Sequence, residues 1–123
     1  MTTLRIRRRG PAIKYEIWAR CRDPRRWPEW APHIREVIAE GPLQPGLEGE
    51  VVGLLGVHAR FEVLEVDVER GRWTWVVRSG AVRVRIEHEV GEGRAGLVLS
   101  GPAPAVVAYA PLARAALGRL VSR

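Results

Sequence analysis

Apolar residues along the chain follow first a helical and later a strand-like spacing. In PAIKYEIWARC, from Pro11 to Cys21, apolar side chains recur at helical intervals, which predicts a helix that begins at Pro11. Before it, Leu4 and Ile6 alternate with polar residues, which predicts a short first strand. The chain therefore begins with a strand followed by a helix.

A proline-rich elbow, DPRRWPEWAP, follows at residues 23–32 and predicts a second short helix. Asp23 stands immediately before Pro24, in the position of a helix cap. Trp27 and Trp30 are three residues apart and therefore share one face of this turn. Two indoles on one face bury a large apolar area when packed and are costly to leave in water.

From residue 34 the spacing becomes that of strands. The clearest alternation is AVRVRIEHEV, residues 81–90, in which Ile86 and His88 point to the same side as the valines. The arginines and glutamates of this stretch point to the other side. Turn-rich breaks such as GPLQPG and GEGRAG separate the runs, and we expect about six strands joined by short turns, hence an antiparallel sheet.

The end of the chain returns to helical spacing. Its apolar stripe runs from Val106 to Leu120, and Pro111 predicts a kink or a fresh start within the helix. An antiparallel sheet with one apolar face needs a cover, and this helix is the only long one in the pattern. The predicted fold class is α+β, a curved antiparallel sheet wrapped around a long C-terminal helix. The space between them holds either side chains or a ligand.

Composition and charge narrow the class of protein. A chain of 123 residues with 46% hydrophobic and 28% charged residues suits one globular domain, predicted over residues 1–123. The net charge of +6 comes almost wholly from arginine, with lysine only at Lys14. These arginines either form a solvated surface or make a weak contact with an anionic membrane or RNA. We expect a cytoplasmic protein, because Cys21 is the single cysteine and no apolar signal segment follows the N-terminus.

The stretch IWARCRDPRRWPEWAPHIREV, residues 17–37, resembles the START-like (Bet v 1-like, SRPBCC) superfamily, and within it the bacterial polyketide cyclase/dehydrase and lipid-transport family. GPLQPGLEGEV and FEVLEVDVERGRWTW are similar to its later turn and paired strands. The resemblance implies a helix-grip fold, in which the elbow forms two short helices at the open end of the sheet. The final helix is short for this family. The elbow residues that match the family pattern are Trp18, Asp23, Trp27, Pro28, Trp30 and Pro32.

His88 and Tyr109 are the candidate polar groups of a ligand site. His88 lies among aliphatic residues on one strand face, where it orients a ligand, acts as a base, or is a core histidine with one hydrogen bond. The resemblance places the helix of Tyr109 across the cavity, so its phenol faces either the ligand or water. No metal site is expected, since the histidines lack ligand spacing, and no cofactor is predicted.

Six further residues complete the predicted ligand site. Trp73 and Trp75 share a strand face and form either a pocket wall or ordinary core. Trp27 and Trp30 are either structural staples of the elbow or ligand contacts. Arg60 would add a polar group, although its strand stripe also fits a face in solvent. The predicted ligand-binding residues are His88, Tyr109, Trp73, Trp75, Phe61, Trp27, Trp30 and Arg60.

Three functions fit the sequence. The first is binding or transport of a small apolar ligand, such as a lipid, a polyprenyl quinone or an aromatic polyketide-like compound, between the sheet and the last helix. The second is a cyclase or dehydratase that uses His88 as base, with Arg60 or Tyr109 stabilising an enolate. The third is a basic interaction module for an anionic partner, and a homodimer through an exposed strand edge is also open.

Overall fold

Seven strands form an antiparallel sheet, and three helices accompany it. The computed structural model describes residues 1–123, except for the side chain of Leu55. The strands are β1 Thr2–Arg9, β2 Ile34–Ile38, β3 Glu48–Gly53, β4 His58–Asp67, β5 Arg72–Ser79, β6 Val82–Gly91 and β7 Arg94–Gly101. The helices are α1 Lys14–Arg22, α2 Trp27–Trp30 and α3 Ala103–Leu120. Short 3₁₀ turns occupy Pro24–Arg26 and Leu54–Gly56.

The strands lie in the order β1-β7-β6-β5-β4-β3-β2, so β1 and β2 are the edges of the sheet. Every neighbouring pair is antiparallel, as the short turns predicted. The predicted α+β architecture of a curved sheet with a long C-terminal helix is confirmed. We call the end that carries the β3–β4 turn, the β5–β6 turn and the start of α3 the open end. The opposite end, with the β4–β5 and β6–β7 turns, is the far end.

The first helix begins at Lys14, three residues later than predicted. The segment before it is held extended by partners from elsewhere in the chain. Gly10 N–H donates to Gly93 C=O at 3.0 Å, and Ala12 N–H donates to Val121 C=O at 2.9 Å. Ala12 C=O also accepts from Gly93 N–H at 3.0 Å, and in a helix starting at Pro11 that carbonyl would instead accept from Glu16 N–H. Tertiary contacts therefore override the local pattern.

The elbow is fastened to α1 by both of its tryptophans. Asp23 caps the 3₁₀ turn, because its Oδ1 accepts from Arg25 N–H at 3.0 Å. Trp27 Nε1 donates to Cys21 C=O at 2.9 Å, and Trp30 Nε1 donates to Arg20 C=O at 3.2 Å. These bonds satisfy the N–H groups of both indoles while the rings face the interior. The elbow is therefore both rigid and directed inward.

The inner face of the sheet is the one that the alternation predicted. His88 lies opposite Trp73, and Ile86 lies opposite Trp75, so these side chains share a face. The registers of the β2–β3 and β4–β5 pairs shift once each, and such irregularities bend a sheet. The buried core forms on this concave side.

Helix α3 crosses the inner face and is tied down mainly at its C-terminal end. Arg20 Nη1 donates to Leu120 C=O at 2.8 Å and to Ser122 C=O at 2.6 Å. Arg8 Nη1 donates to Arg114 C=O at 3.2 Å. The helix continues through Pro111. The prediction that a new helix starts at Pro111 was therefore wrong. The first half of α3 stands over the open end.

Candidate functional site

Five rings fill the interior toward the far end, and we call them the aromatic cluster: Trp27, Phe61, Trp73, Trp75 and His88. Trp27 stacks on Trp73 with ring centroids 5.6 Å apart and meets Trp75 edge-on at 5.0 Å. Phe61 meets Trp75 edge-on at 5.4 Å. All five rings are buried. This part of the space between sheet and helix is therefore occupied by side chains.

His88 stacks flat on Trp73, with ring centroids 4.0 Å apart and an angle of 5° between the planes. Burial lowers the pKa of His88 to about 3, because a charged imidazole would lose its hydration there. The ring is therefore neutral at physiological pH. Its Nε2 is buried and has no hydrogen-bond partner among the residues that the structure describes.

Two indoles of the aromatic cluster share this property. Within the described part of the chain, the Nε1 atoms of Trp73 and Trp75 are also buried without a hydrogen-bond acceptor at bonding geometry. Trp73 does approach the Cys21 thiol, and this slightly offsets the burial that raises the pKa of Cys21 to about 12. Three unsatisfied nitrogens in one cluster are unusual, since buried polar groups are generally paired.

Toward the open end a pocket of about 320 Å³ remains between the sheet and α3, and we call it the mouth pocket. Its wall is almost entirely apolar and includes Val51, Val77 and Leu112. Trp75 belongs to both the aromatic cluster and this wall. The pocket opens past Leu54 and Val57, in and beside the β3–β4 turn. A concave apolar space with few polar atoms is the usual form of a small-molecule site.

The polar part of the mouth pocket is a histidine–tyrosine pair. His33 Nε2 and the Tyr109 hydroxyl lie 3.0 Å apart, with the rings edge-on. Burial lowers the pKa of His33 to about 4 and raises that of Tyr109, so both are neutral at pH 7. Whichever tautomer His33 adopts, the pair retains a donor or acceptor for a ligand group.

The predicted site residues fall into four places. Tyr109 and Trp75 line the mouth pocket. Phe61, Trp73, Trp27 and His88 lie in the aromatic cluster behind it. Trp30 is buried against α1, and Arg60 is exposed on the outer face of the sheet, on the side opposite His88. His88 and Arg60 therefore do not face a common space, and a ligand role for either stays a prediction.

His33 was not among the candidate site residues predicted from the sequence. It is half-buried, because Tyr109 from α3 closes over it. Leu54, Val57 and Leu112 were also missed, although they surround the entrance. No local signal marks these residues, since the pair His33 and Tyr109 is separated by 76 positions in the chain.

Two further observations concern metals and membranes. Across the side chains that the structure describes, no three His, Cys, Asp or Glu residues group in a way that could hold a metal ion. None of the described helices combines the length and apolar character needed to cross a membrane.

A family model described as polyketide cyclase / dehydrase and lipid transport matches residues 8–123. The chain belongs to this family. The family that the elbow and strand motifs resembled is therefore confirmed. Membership of this family agrees with a hydrophobic ligand-binding or cyclase-like domain. No protein with a curated description matches the sequence.

Solved structures agree with the fold of this family. Ara h 8.0201 superposes with a TM-score of 0.77 at 12% identity, covering 98% of this chain and 95% of its own. XoxI from Bacillus cereus gives 0.77 at 14% identity, covering 98% and 93%. DynU16, from the dynemicin biosynthetic locus, gives 0.73 at 20% identity, covering 97% of this chain but 45% of its own. These likenesses show the Bet v 1-like helix-grip fold.

Proposed function

We propose that the protein binds a small apolar or aromatic compound with one polar group in the mouth pocket. The observation that carries this is the apolar space of about 320 Å³ with the His33–Tyr109 pair in its wall. Burial of apolar ligand surface contributes on the order of 25 cal/mol per Å², and the pair orients the polar group. Family membership supports a ligand of this class.

The size of the mouth pocket selects among the ligands that the sequence suggested. Small-molecule pockets range from about 300 to 1,000 Å³, so this one is at the small end. It suits one ring system or a short chain better than a whole polyprenyl quinone or a two-chain lipid. The aromatic cluster prevents a longer ligand from continuing inward.

Fluorescence of N-phenyl-1-naphthylamine, which increases in apolar sites, tests the pocket directly. Val77→Trp would fill the mouth pocket from β5 and should abolish the signal. Val68→Trp adds the same side chain at an exposed position at the far end and should leave binding unchanged. Equal binding by wild type and Val77→Trp would refute the proposal.

Tyr109→Phe tests the polar part of the site. The variant keeps the apolar wall but lacks the hydroxyl that bonds to His33. We expect 1-naphthol to bind about fivefold more weakly, the effect of one hydrogen bond, and naphthalene to bind as before. Weaker binding of both compounds would mean that the ring, and not the hydroxyl, is what matters.

A second candidate is a cyclase or dehydratase reaction in the same pocket. The His33–Tyr109 pair favours it, because a neutral imidazole beside a phenol can accept and return a proton. Burial makes His33 a weak base, and for this reason we place catalysis second to binding. The test is proton exchange with solvent at the carbon next to the carbonyl of a bound aryl ketone. Exchange in the wild type that is lost in Tyr109→Phe would support catalysis.

The predicted contacts with larger partners remain open proposals. A homodimer would use β1 or β2, whose outer edges have no strand beside them. A weak contact with an anionic membrane or RNA would use the arginines that give the chain its charge of +6.

A further inference from the structure

Three arginines stand side by side on the outer face near the open end, and we call them the arginine row. Arg60 on β4 lies directly opposite Arg78 on β5, which lies directly opposite Arg83 on β6. All three are exposed. Like charges in directly opposed positions of a sheet repel each other and destabilise it. Repulsion within the arginine row therefore lowers the stability of the sheet.

Three carboxylates line the same groove as Arg60 and Arg78 without forming an ion pair with the row: Glu48, Glu50 and Glu62. None of the ion pairs in the described residues includes Arg60, Arg78 or Arg83. Glu50 lies opposite Arg60 but bonds to His58 instead. Elsewhere on the same face, Arg72 pairs with Glu89 at 3.0 Å, Arg5 with Glu89 at 3.6 Å and Arg85 with Glu87 at 3.4 Å. A second group without ion pairs among the described residues lies toward the far end: Arg7, Arg9 and Arg94.

Aliphatic side chains are exposed at the same end of the molecule, around the mouth pocket. Leu54 is 52% exposed, Val57 57% and Leu112 39%, and all three line the entrance. Val82, beside the β5–β6 turn, is 41% exposed. We call these four residues the apolar rim.

The apolar rim and the arginine row lie at the same end of the sheet, the rim around the mouth on the inner side and the row on the outer face. Arg83 follows Val82 directly, and Arg60 stands three residues after Val57, about 10 Å along the strand. The Ser79 hydroxyl donates to His58 C=O at 3.2 Å, which joins the β5–β6 turn to the start of β4. The two turns therefore present one tip, with unpaired arginines a short distance above it.

We propose that the open end docks on an anionic lipid bilayer. The apolar rim enters the interface between headgroups and acyl chains, and the arginine row contacts lipid phosphates. A nucleic acid would use the arginines but gain nothing from Leu54 and Val57. The purpose of the docking rests on the proposed function: when the open end lies on the bilayer, an apolar ligand can enter the mouth pocket without crossing water.

Co-sedimentation with vesicles tests the docking. We expect wild type to bind phosphatidylcholine vesicles that contain phosphatidylglycerol, and to bind pure phosphatidylcholine far less. The double variant Arg78→Gln/Arg83→Gln should bind the anionic vesicles about thirtyfold more weakly, the effect of two basic residues near such a surface. Higher salt should reduce wild-type binding, because the charges are exposed.

A matched control separates the arginine row from net charge. Arg7→Gln/Arg9→Gln removes the same charge from β1, with Arg9 at the far end, and should retain most of the vesicle binding. Leu54→Ser should weaken vesicle binding with all arginines present. Equal losses in the two arginine variants, no effect of Leu54→Ser, or binding of single-stranded RNA in preference to vesicles would each overturn the docking proposal.

The two proposals fail separately. Arg78→Gln/Arg83→Gln should still bind N-phenyl-1-naphthylamine without vesicles, because neither arginine lines the mouth pocket. Val77→Trp should still bind anionic vesicles, because it leaves both the apolar rim and the arginine row intact. Vesicle binding without probe binding would therefore refute the proposed function alone, and the reverse result would refute the docking alone.

Discussion

Among single residues, His88 shows how a polar side chain is kept in an apolar interior. Its flat ring packs against the flat ring of Trp73, with the two ring centroids 4.0 Å apart. Its unpaired Nε2 is nevertheless a cost, since a buried polar atom without a partner destabilises the folded state by about 1–3 kcal/mol. Stacking and burial of the ring offset this cost.

His88→Phe is therefore expected to stabilise the protein at neutral pH by about 1 kcal/mol or more, because the stack survives and the unpaired nitrogen is removed. Urea unfolding measures the change. His58→Phe, at an exposed position, is the control and should change the free energy of unfolding by less than about 1 kcal/mol. A loss of stability in His88→Phe would contradict this account of His88.

The buried histidines also predict a loss of stability in acid. Burial lowers the pKa of His33 to about 4 and of His88 to about 3, from the usual 6.5. Below about pH 6.5 the unfolded chain takes up these protons and the folded chain does not, so the free energy of unfolding falls. Each histidine contributes a slope of about 1.4 kcal/mol per pH unit.

Urea unfolding at about pH 7 and about pH 4.5 checks this slope. The wild type should lose more stability between the two values than His88→Phe does, because the variant lacks one of the two titrating rings. Acidic groups titrate alike in both proteins, so the difference isolates His88. Identical losses would mean that His88 is protonated in the folded state.

At the scale of elements, α3 is bonded to α1 at its C-terminal end and covers the mouth pocket nearer its N-terminal end. Arg20 on α1 donates to the carbonyls of Leu120 and Ser122, which have no further turn of helix to bond them. The Tyr109 end of the helix meets the sheet across the mouth pocket. That end is held by Val106, which is buried in the core, and by the bond from Tyr109 to His33.

Arg20→Met should therefore lower the free energy of unfolding by about 2–3 kcal/mol, because two charge-assisted hydrogen bonds to α3 are lost. Arg22→Met on the same helix removes an exposed arginine and should change stability by less than about 0.5 kcal/mol. Chemical denaturation of both variants gives the comparison. Similar losses would show that the charge of α1, and not the link to α3, is what stabilises the fold.

At the scale of the whole molecule, the proposed binding in the mouth pocket predicts a limit on ligand length, set by the aromatic cluster. Straight-chain alcohols of increasing length should displace N-phenyl-1-naphthylamine with affinity that rises by about 0.8 kcal/mol per methylene while the mouth pocket fills. The gain should then stop, because Trp75 closes the inner end. A rise that continues to the longest chains would mean that the aromatic cluster opens to admit them.

Local sequence was a good guide to the elements and to the faces of strands. The alternation of residues 81–90 predicted that His88 and Ile86 face inward, because a strand allows only two side-chain directions. The residues of the elbow predicted one short helix, and their resemblance to the family implied the second. Local sequence did not predict the start of α1, which depends on bonds to Gly93 and Val121 far along the chain.

The sequence by itself determined the class of fold, the family and which side of the strands faces inward, since each of these follows from residue types and spacings within short stretches of the chain. Only the tertiary structure decided how the interior is divided between the aromatic cluster and the mouth pocket. It also decided that His33 meets Tyr109 and that three arginines stand in register. Such pairings depend on strand register and on the placement of α3, and these are properties of long-range packing that no local pattern encodes.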